Sequence, residues 1–365
     1  MNLDVLTMYL KQHTGQIKIM EVCGTHTSSI VKNGIRSLIS DDIMLVSGPG
    51  CPACVTSPSV IDTLIELSQQ NDTEVLSFGD MFRVPGSYYS LAQAKAQGSM
   101  VRLIYSPLEV LRLAKEKPNT RFIIAAVGFE TTIPVYASLL EALVRQGIQN
   151  VTLLTALKTI PEALKYICIH EQVNAFLCPG HVSVIIGSTP YQKLAREYHK
   201  PFVITGFDVV HIIAALYEIV MQHKNGQYEV KNLYPSVVRK NGQTKAMQLV
   251  NKYFEKTNSF WRGIGEIKNS GYSLKKEYEC FSANSTDYMT RPKWLASKDF
   301  QTWLTQQETP EKGLPGGCCC ADVLLGRISP KECTLFGNVC RPQNPIGPCM
   351  ASSEGTCRIY SEGAL

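Results

Sequence analysis

Two cysteines, Cys51 and Cys54, stand three positions apart in the segment Gly48–Cys54, with a proline between them. The pair follows an apolar run, Ile43–Val46, and therefore lies at the end of a predicted strand. A Cys-Pro-x-Cys pair in this position is typical of thiol–disulfide exchange or of metal binding. The pair alone does not separate these two functions, and a tight turn with inert thiols is the structural alternative.

A third cysteine, Cys23, precedes His26 by three positions at the end of another predicted strand, Ile17–Val22. Thiolate and imidazole both bind iron or zinc, and an imidazole beside a thiol lowers the pKa of that thiol. Taken alone, such a pair is more often a buried cysteine and a helix-capping histidine. Because Cys51 and Cys54 are expected at a neighbouring strand end, the functional interpretation is favoured.

The C-terminal region is rich in cysteine, with seven of the thirteen in the chain: Cys318, Cys319, Cys320, Cys333, Cys340, Cys349 and Cys357. Four thiolates suffice for a [4Fe–4S] cluster or for a structural zinc ion. The closely spaced cysteine pairs of zinc knuckles do not occur here, and the linkers are rich in glycine and proline. The spacing therefore favours a cluster held by loops, with a zinc ribbon or incidental thiols as the alternatives. The surplus cysteines could form a disulfide beside the cluster.

Residues that could do chemistry follow several predicted strands closely: Cys23, Cys51, Asp80, Glu130 and His181. In open parallel sheets, functional sites lie outside the carboxyl ends of the strands. Glu130 and His181 are candidates for acid–base groups, although a histidine after Pro-Gly also commonly caps a helix. Asp80 and Arg83 are further candidates, with a structural ion pair between them as the alternative.

Strands and helices alternate along residues 1–224, and the strands are nearly continuous apolar runs. This pattern is typical of parallel sheets covered on both faces. We predict an α/β protein with two similar parallel-sheet domains, residues 1–117 and 118–224. A smaller, loop-rich α+β domain that carries the [4Fe–4S] cluster is expected over residues 225–365. The short run Ser183–Ile186 is predicted to be strand-like.

Composition narrows the class of protein further. Hydrophobic residues make up 44% of the 365 residues and charged residues 18%, which is typical of a packed soluble chain. The net charge of +5 is not gathered into a dense run, so neither nucleic-acid nor membrane-surface binding is indicated. Without a signal peptide or an apolar span we expect a cytoplasmic protein, where many cysteines indicate metal, cluster or redox chemistry. The loop motifs of nucleotide-binding proteins and serine hydrolases do not occur.

Together the motifs resemble the HypD family of hydrogenase maturation factors. The matching stretches occur in family order over nearly the whole chain: Glu21–Thr27, Gly48–Thr56, Gly79–Ser87, Gly128–Thr132, Pro179–Gly187, Trp261–Gly265, Leu335–Gly337 and Ser352–Gly355. Each stretch is short, and their combination is very specific.

The resemblance implies an assembly scaffold for the Fe(CN)2CO unit of [NiFe]-hydrogenases. Such a protein holds Fe(II) jointly with a small partner, HypC, while cyanide and CO are attached. The cyanide comes from HypE, which carries it as a thiocyanate on its own C-terminal cysteine. By match, Cys23 is the thiol that binds the iron, with His26 beside it. Cys51 and Cys54 are the redox dithiol near the iron.

The resemblance also implies a [4Fe–4S] cluster in a setting similar to that of ferredoxin–thioredoxin reductase. The expected cluster ligands are Cys318, Cys333, Cys340 and Cys357. Cys320 and Cys349 are expected to form the adjacent redox pair, which would pass electrons toward Cys51 and Cys54. The family has Cys-x-Cys where this chain has three consecutive cysteines, so that Cys319 occupies the middle position.

The implied chemistry is coherent. Delivery of cyanide from a thiocyanate consumes two electrons, and a dithiol together with a cluster can supply them. The resemblance therefore implies a metal-cofactor assembly scaffold with redox activity, in preference to a stand-alone enzyme. The alternative is an iron–sulfur-dependent thiol–disulfide reductase acting on protein disulfides. A zinc-stabilised α/β binding protein without redox chemistry is a further alternative.

Overall fold

The computed structural model describes residues 2–284 and 313–363. Its strands are β1 (Ile17–Glu21), β2 (Ile43–Ser47), β3 (Thr73–Ser77), β4 (Val101–Leu103), β5 (Arg121–Gly128), β6 (Val151–Lys158), β7 (Ala175–Pro179), β8 (Phe202–Thr205), β9 (Val230–Asn232), β10 (Phe254–Trp261) and β11 (Gly265–Leu274). They form two sheets. Sheet A has the order β2-β1-β7-β8-β9, and sheet B has the order β10-β11-β6-β5-β3-β4. All pairings are parallel except those of β11 with β10 and β6, which confirms the predicted α/β class with two sheets built on parallel strands.

Helices fill most connections between the strands. They are α1 (Leu3–Lys11), α2 (Gly24–Lys32), α3 (Pro58–Ser68), α4 (Gly79–Arg83), α5 (Leu91–Ala96), α6 (Val110–Glu116), α7 (Ile133–Gln146), α8 (Ile160–His170), α9 (Gly180–Ile186), α10 (Thr189–Tyr198), α11 (Val209–Lys224), α12 (Thr244–Tyr253), α13 (Cys320–Leu324), α14 (Pro348–Ala351) and α15 (Thr356–Glu362). From residue 313 onward short helices and loops carry the cysteine-rich region, as predicted. Within the described part of the chain, no helix has the length and apolar character that a membrane crossing requires.

The two sheets do not follow the contiguous boundaries predicted at residues 117 and 224. Sheet A combines β1 and β2 with β7 to β9, whereas sheet B combines β3 and β4 with β5 and β6 and is extended by the β10–β11 hairpin. The chain therefore crosses from sheet A to sheet B after β2 and returns after β6. An apolar run predicts a buried strand but does not reveal which strand lies beside it.

The segment predicted to be strand-like at Ser183–Ile186 is instead part of helix α9. The hydroxyl of Ser183 donates to the carbonyl of Pro179 four residues earlier, at 2.7 Å. Gly187, at φ +79°, ends the helix. The prediction was wrong because a run of four residues is too short to distinguish the period of a strand from that of a helix.

Strand β5 shows how the sheets are covered. Ile123, Ala125 and Val127 pack into one hydrophobic core, and the intervening Ile124 and Ala126 pack into another. Successive side chains of a strand point to opposite faces, so both faces of this strand are buried. The nearly continuous apolar pattern of the strand follows from this double burial.

Arg262, in the turn between β10 and β11, connects three distant parts of the chain. Its backbone N–H donates to Val55 at 2.9 Å, its Nε to the carbonyl of Gly313 at 2.7 Å and its Nη1 to the carbonyl of Pro85 at 2.7 Å. The side chain is 1% exposed, and burial lowers its pKa to about 10. This arginine thus joins the start of the cysteine-rich region to the turn that follows Cys54.

We expect Arg262→Met to lower the free energy of unfolding by about 2–4 kcal/mol, because two half-buried carbonyls lose a charged donor. Urea denaturation measures this difference. Arg112→Met is the control, since Arg112 is exposed and pairs only with Glu116 one helical turn away. Equal stability of the two variants would contradict the connecting role of Arg262.

Candidate functional site

The carboxyl ends of strands from both sheets meet at a cleft of about 560 Å³. The cleft is lined by residues that follow β1, β2, β3, β5 and β7, among them Cys23, Pro52, Asp80, Phe129 and His181. Three of the polar residues predicted from their strand-end positions, Cys23, Asp80 and His181, are therefore brought together. Glu130 is not, because it lines a different cleft. Arg83, the further candidate beside Asp80, is exposed and does not line this cleft.

Cys23 is the thiol that reaches the cleft directly. It is half-buried and immediately precedes helix α2, whose N-terminal end favours a thiolate. Burial is the largest influence and raises its pKa, while the backbone amides of His26 and Thr25 act in the opposite direction. The thiol is thus held protonated mainly by desolvation. A cation in the cleft would favour its ionisation.

His26 does not line the cleft, although it lies three residues from Cys23. Its Nε2 is 3.0 Å from the carbonyl of Gly206, so this nitrogen carries the hydrogen and donates it. The ring packs against Phe207, which also packs against His181. Burial lowers the pKa of His26 to about 4, which keeps the imidazole neutral. The side chain supports the Cys23 turn from behind, and the influence on the thiol comes from the backbone amide of His26.

Cys51 and Cys54 form a disulfide, and both residues are buried. The Sγ of Cys51 lies 3.4 Å from the hydroxyl oxygen of Ser352, and the Sγ of Cys54 lies 3.8 Å from the carbonyl oxygen of Pro348. Access to this pair is therefore controlled by the C-terminal region. The Cys-x-x-Cys turn itself contributes Pro52 and Ala53 to the cleft.

A second disulfide joins Cys320 to Cys349. Cys349 directly follows Pro348, and the carbonyl oxygen of Pro348 contacts the Sγ of Cys54. Pro348 therefore lies between the two disulfides. This arrangement brings a disulfide of the C-terminal region next to the disulfide beside the cleft.

Four free cysteines and the Cys320–Cys349 disulfide line one small enclosed cavity with apolar walls. The free cysteines are Cys318, Cys333, Cys340 and Cys357. Cys319 is not part of the lining, and its Sγ is 3.7 Å from the carbonyl oxygen of Gly317. Burial raises the pKa of Cys318 to about 11 and also raises that of Cys357.

The thiols of this cavity are potential ligands for a zinc ion or for an iron–sulfur cluster. Across residues 2–284 and 313–363, no group of three or more His, Cys, Asp or Glu side chains is arranged to hold a metal ion. A cluster of four irons offers each thiolate a separate iron, so its ligands stand further apart than those of a single ion. Four thiols around one cavity match the four-thiolate ligand sets of both a [4Fe–4S] cluster and a structural zinc ion.

Asp80 contacts the C-terminal region, and the alternative of a structural ion pair with Arg83 is not seen among the described residues. The carboxylate of Asp80 accepts hydrogen bonds from the backbone N–H of Ser353 at 3.2 Å and from its hydroxyl at 2.8 Å. The next residue, Glu354, lines the cleft. Sequence reasoning missed Glu354 as a site residue, although it belongs to one of the motifs; no predicted strand end marks its position.

Glu21 is a buried carboxyl that sequence reasoning also missed. Its two oxygens accept hydrogen bonds from the hydroxyls of Thr27, at 2.8 Å, and Ser47, at 2.7 Å. Burial raises its pKa to about 8. Because Thr27 belongs to the first turn of α2 and Ser47 ends β2, Glu21 ties the Cys23 turn to the strand that leads to Cys51. A charged residue within an apolar strand was the available signal.

Two glycines permit the close approach of backbones at the cleft. A Cβ on Gly50 would lie 2.6 Å from the nitrogen of Cys23 and 2.7 Å from its Cα. A Cβ on Gly24 would lie 2.5 Å from the carbonyl oxygen of Glu354. No larger residue fits either position without movement of the neighbouring backbone. The absence of these side chains sets the distance between the Cys23 turn, the Cys-x-x-Cys turn and the C-terminal region.

Fold and site together define a class of protein: an α/β chain that presents a free thiol beside a disulfide-forming pair, with a cysteine-lined cavity behind them. This is the composition of a thiol-redox or metal-handling protein. A family model described as "HypD: Hydrogenase formation hypA family" matches residues 4–363. The chain therefore belongs to the HypD family.

Individual relatives agree with this family. A hydrogenase expression/formation protein of Methanocaldococcus jannaschii is 37% identical over 353 residues, which cover 96% of this chain and 93% of the relative. The hydrogenase maturation factor HypD of Rhodobacter capsulatus is 35% identical, over 94% of this chain and 88% of its own. HypD of Escherichia coli strain K12 is 35% identical with the same coverage of both chains.

We expect Gly50→Ala to displace the Cys23 turn, because the new methyl group would overlap the backbone of Cys23. The free energy of unfolding should fall by about 1–3 kcal/mol, and the rate of Cys23 alkylation by iodoacetamide should change. Gly79→Ala is the matched control, since a Cβ there meets only Leu103 at 3.7 Å. Wild-type stability and alkylation in Gly50→Ala would disprove the close-approach argument.

Proposed function

We propose that this hydrogenase maturation factor is a scaffold on which the Fe(CN)2CO unit of [NiFe]-hydrogenases is assembled, together with HypC and HypE. The observation that carries the proposal is the free thiol of Cys23 in the cleft, next to the buried Cys51–Cys54 pair. Membership of the HypD family supports it. In this role the protein is a metal-cofactor assembly scaffold with redox activity, and a reduced cytoplasm suits its thiol chemistry.

The iron is cargo in this scheme, held between Cys23 and HypC. The thiolate of Cys23 is a suitable donor to Fe(II), and the positive iron offsets the desolvation that keeps the free thiol protonated. His26 stays neutral and positions the turn, whereas Asp80 holds the C-terminal region at the rim through Ser353. A cleft of about 560 Å³ leaves room for iron with small ligands.

Cyanide transfer from HypE sets the electron requirement. Cleavage of the sulfur–carbon bond of a thiocyanate, with two electrons, releases cyanide to the iron and leaves a thiolate on the cysteine of HypE. Oxidation of the Cys51–Cys54 dithiol to its disulfide supplies these two electrons and releases two protons. In this scheme, the disulfide is the form of the pair after electron delivery, and the dithiol is the form before it.

Renewed reduction of Cys51–Cys54 is the task we assign to the C-terminal region. Cys318, Cys333, Cys340 and Cys357 would hold a [4Fe–4S] cluster, which supplies electrons when bound. The Cys320–Cys349 pair lines the same cavity and adjoins Pro348, which contacts Cys54. Its position suits a thiol pair that exchanges with the cleft pair.

The second candidate function is a reductase of protein disulfides, favoured by the adjacency of two disulfides at Pro348. Such a reductase would require Cys51 and Cys54 and would tolerate the loss of Cys23. The scaffold requires all three thiols.

We expect Cys23→Ala to abolish hydrogenase maturation in cells that lack their own HypD, because the iron loses its thiolate. In the same variant co-purified with HypC, the infrared bands of iron-bound cyanide and CO should disappear. Cys280→Ala, which removes an exposed cysteine outside the site, is the control. Full maturation with Cys23→Ala would refute the scaffold as stated and leave the reductase.

Anaerobic purification should give a brown protein with about four irons per chain. Serine in place of Cys318, Cys340 or Cys357 should lower the iron content of the protein. It should also lower the visible absorbance that arises from charge transfer between thiolate and iron. Cys280→Ser is the control, because Cys280 is exposed and does not line the cavity. A colourless protein that contains zinc would show that the cluster assignment is wrong.

A further inference from the structure

A second cleft, of about 440 Å³, lies on the other side of the segment that follows β5. Phe129 and Thr131 of this segment line the Cys23 cleft, whereas Glu130 between them lines the second one. We call it the Glu130 cleft; its walls also include residues of α8, α10, α12 and β10. The assembly chemistry proposed above makes no use of it.

Glu130 presents one unpartnered oxygen in this cleft. The side chain is 4% exposed, and its Oε1 accepts a hydrogen bond from the backbone N–H of Ile160 at 2.9 Å. Its Oε2 is buried without a hydrogen-bond partner in the part of the chain that the structure describes. Burial raises the pKa of Glu130 to about 7, so its neutral form, in which the free oxygen can donate, is accessible near neutral pH.

Thr159 adds a second unpartnered group on the same wall. It is the N-cap residue of α8, yet its side chain does not cap the helix. Thr159 is 3% exposed, and its buried hydroxyl has no partner among the described residues. Buried hydroxyls and carboxyls are normally hydrogen-bonded, so two free ones in one cleft indicate that something else supplies the partner. Both stand at the positive end of an 11-residue helix.

The charges around the cleft indicate the sign of that partner. Three lysines line the cleft: Lys165, Lys193 and Lys256. Two further glutamates also line it, the half-buried Glu162 and the exposed Glu197. Lys256 lies 3.8 Å from Glu162, which leaves the other two lysines to balance Glu197 and a ligand. With Glu130 neutral, the cleft carries an excess of positive charge and favours an anion.

We propose that the Glu130 cleft binds a small oxyanion, a carboxylate or a phosphate group, through the side chains of Thr159 and Glu130 at the N-terminus of α8. The hydroxyl of Thr159 and the carboxyl of Glu130 donate to the ligand oxygens, and Lys193 and Lys165 contribute charge. Carboxylate and phosphate share this chemistry, because the oxygens of both accept hydrogen bonds from hydroxyl and carboxyl groups.

Isothermal titration calorimetry of the full chain with sodium acetate and with sodium phosphate, at constant ionic strength in a phosphate-free buffer, tests the proposal. At least one ion should bind saturably. Thr159→Val, which keeps the shape of the side chain and removes only the hydroxyl, should weaken that binding about tenfold or more, since the lost hydrogen bond is to a charged group.

Thr152→Val is the matched control, because the hydroxyl of Thr152 is equally buried and unpartnered in β6 but lies outside the cleft. It should bind as the wild type does. A second comparison changes only exposed residues. Lys193→Met is the test variant, and Lys268→Met, outside the cleft, is its control. If neither ion binds saturably, or if Thr159→Val and Lys193→Met bind like their controls, the cleft holds only structural water and the proposal fails.

Discussion

Close contact between three backbones is the constraint on which the cleft depends. Gly50 lies against the backbone of Cys23, and Gly24 lies against that of Glu354, at distances that exclude any side chain. Three segments that are far apart in sequence thereby reach one another: the first strand end, the Cys-x-x-Cys turn and the C-terminal region. The thiol of Cys23 and the Cys51–Cys54 pair share a site because these backbones can touch.

Desolvation controls the charge of the groups around this constraint. Burial raises the pKa of Glu21 to about 8 and lowers that of His26 to about 4, so both groups are neutral near pH 7. It also raises the pKa of the Cys23 thiol. Neutral groups avoid the free-energy cost of a buried, unpaired charge.

Because the chain crosses between the two sheets, residues from both sheets line the cleft. Cys23, the Cys-x-x-Cys turn and His181 follow strands of sheet A, whereas Asp80 and Phe129 follow strands of sheet B. The cysteine-rich region then closes the cleft through Ser353, which binds Asp80. The turn that follows β5 lies between the two clefts: Phe129, Thr131 and Thr132 line the Cys23 cleft, whereas Glu130 lines the Glu130 cleft.

The sequence by itself determined the α/β class, the strand ends that carry Cys23, Asp80 and His181, and the cysteine-rich C-terminal region. These features are local: apolar runs, spacing and residue type are sufficient to predict them. Only the tertiary structure decided which strands share a sheet, that His26 turns toward Gly206, and that Glu130 faces a separate cleft. The direction of a side chain after a strand depends on the neighbouring strand and on the packing of the following turn, and neither is written in the local pattern.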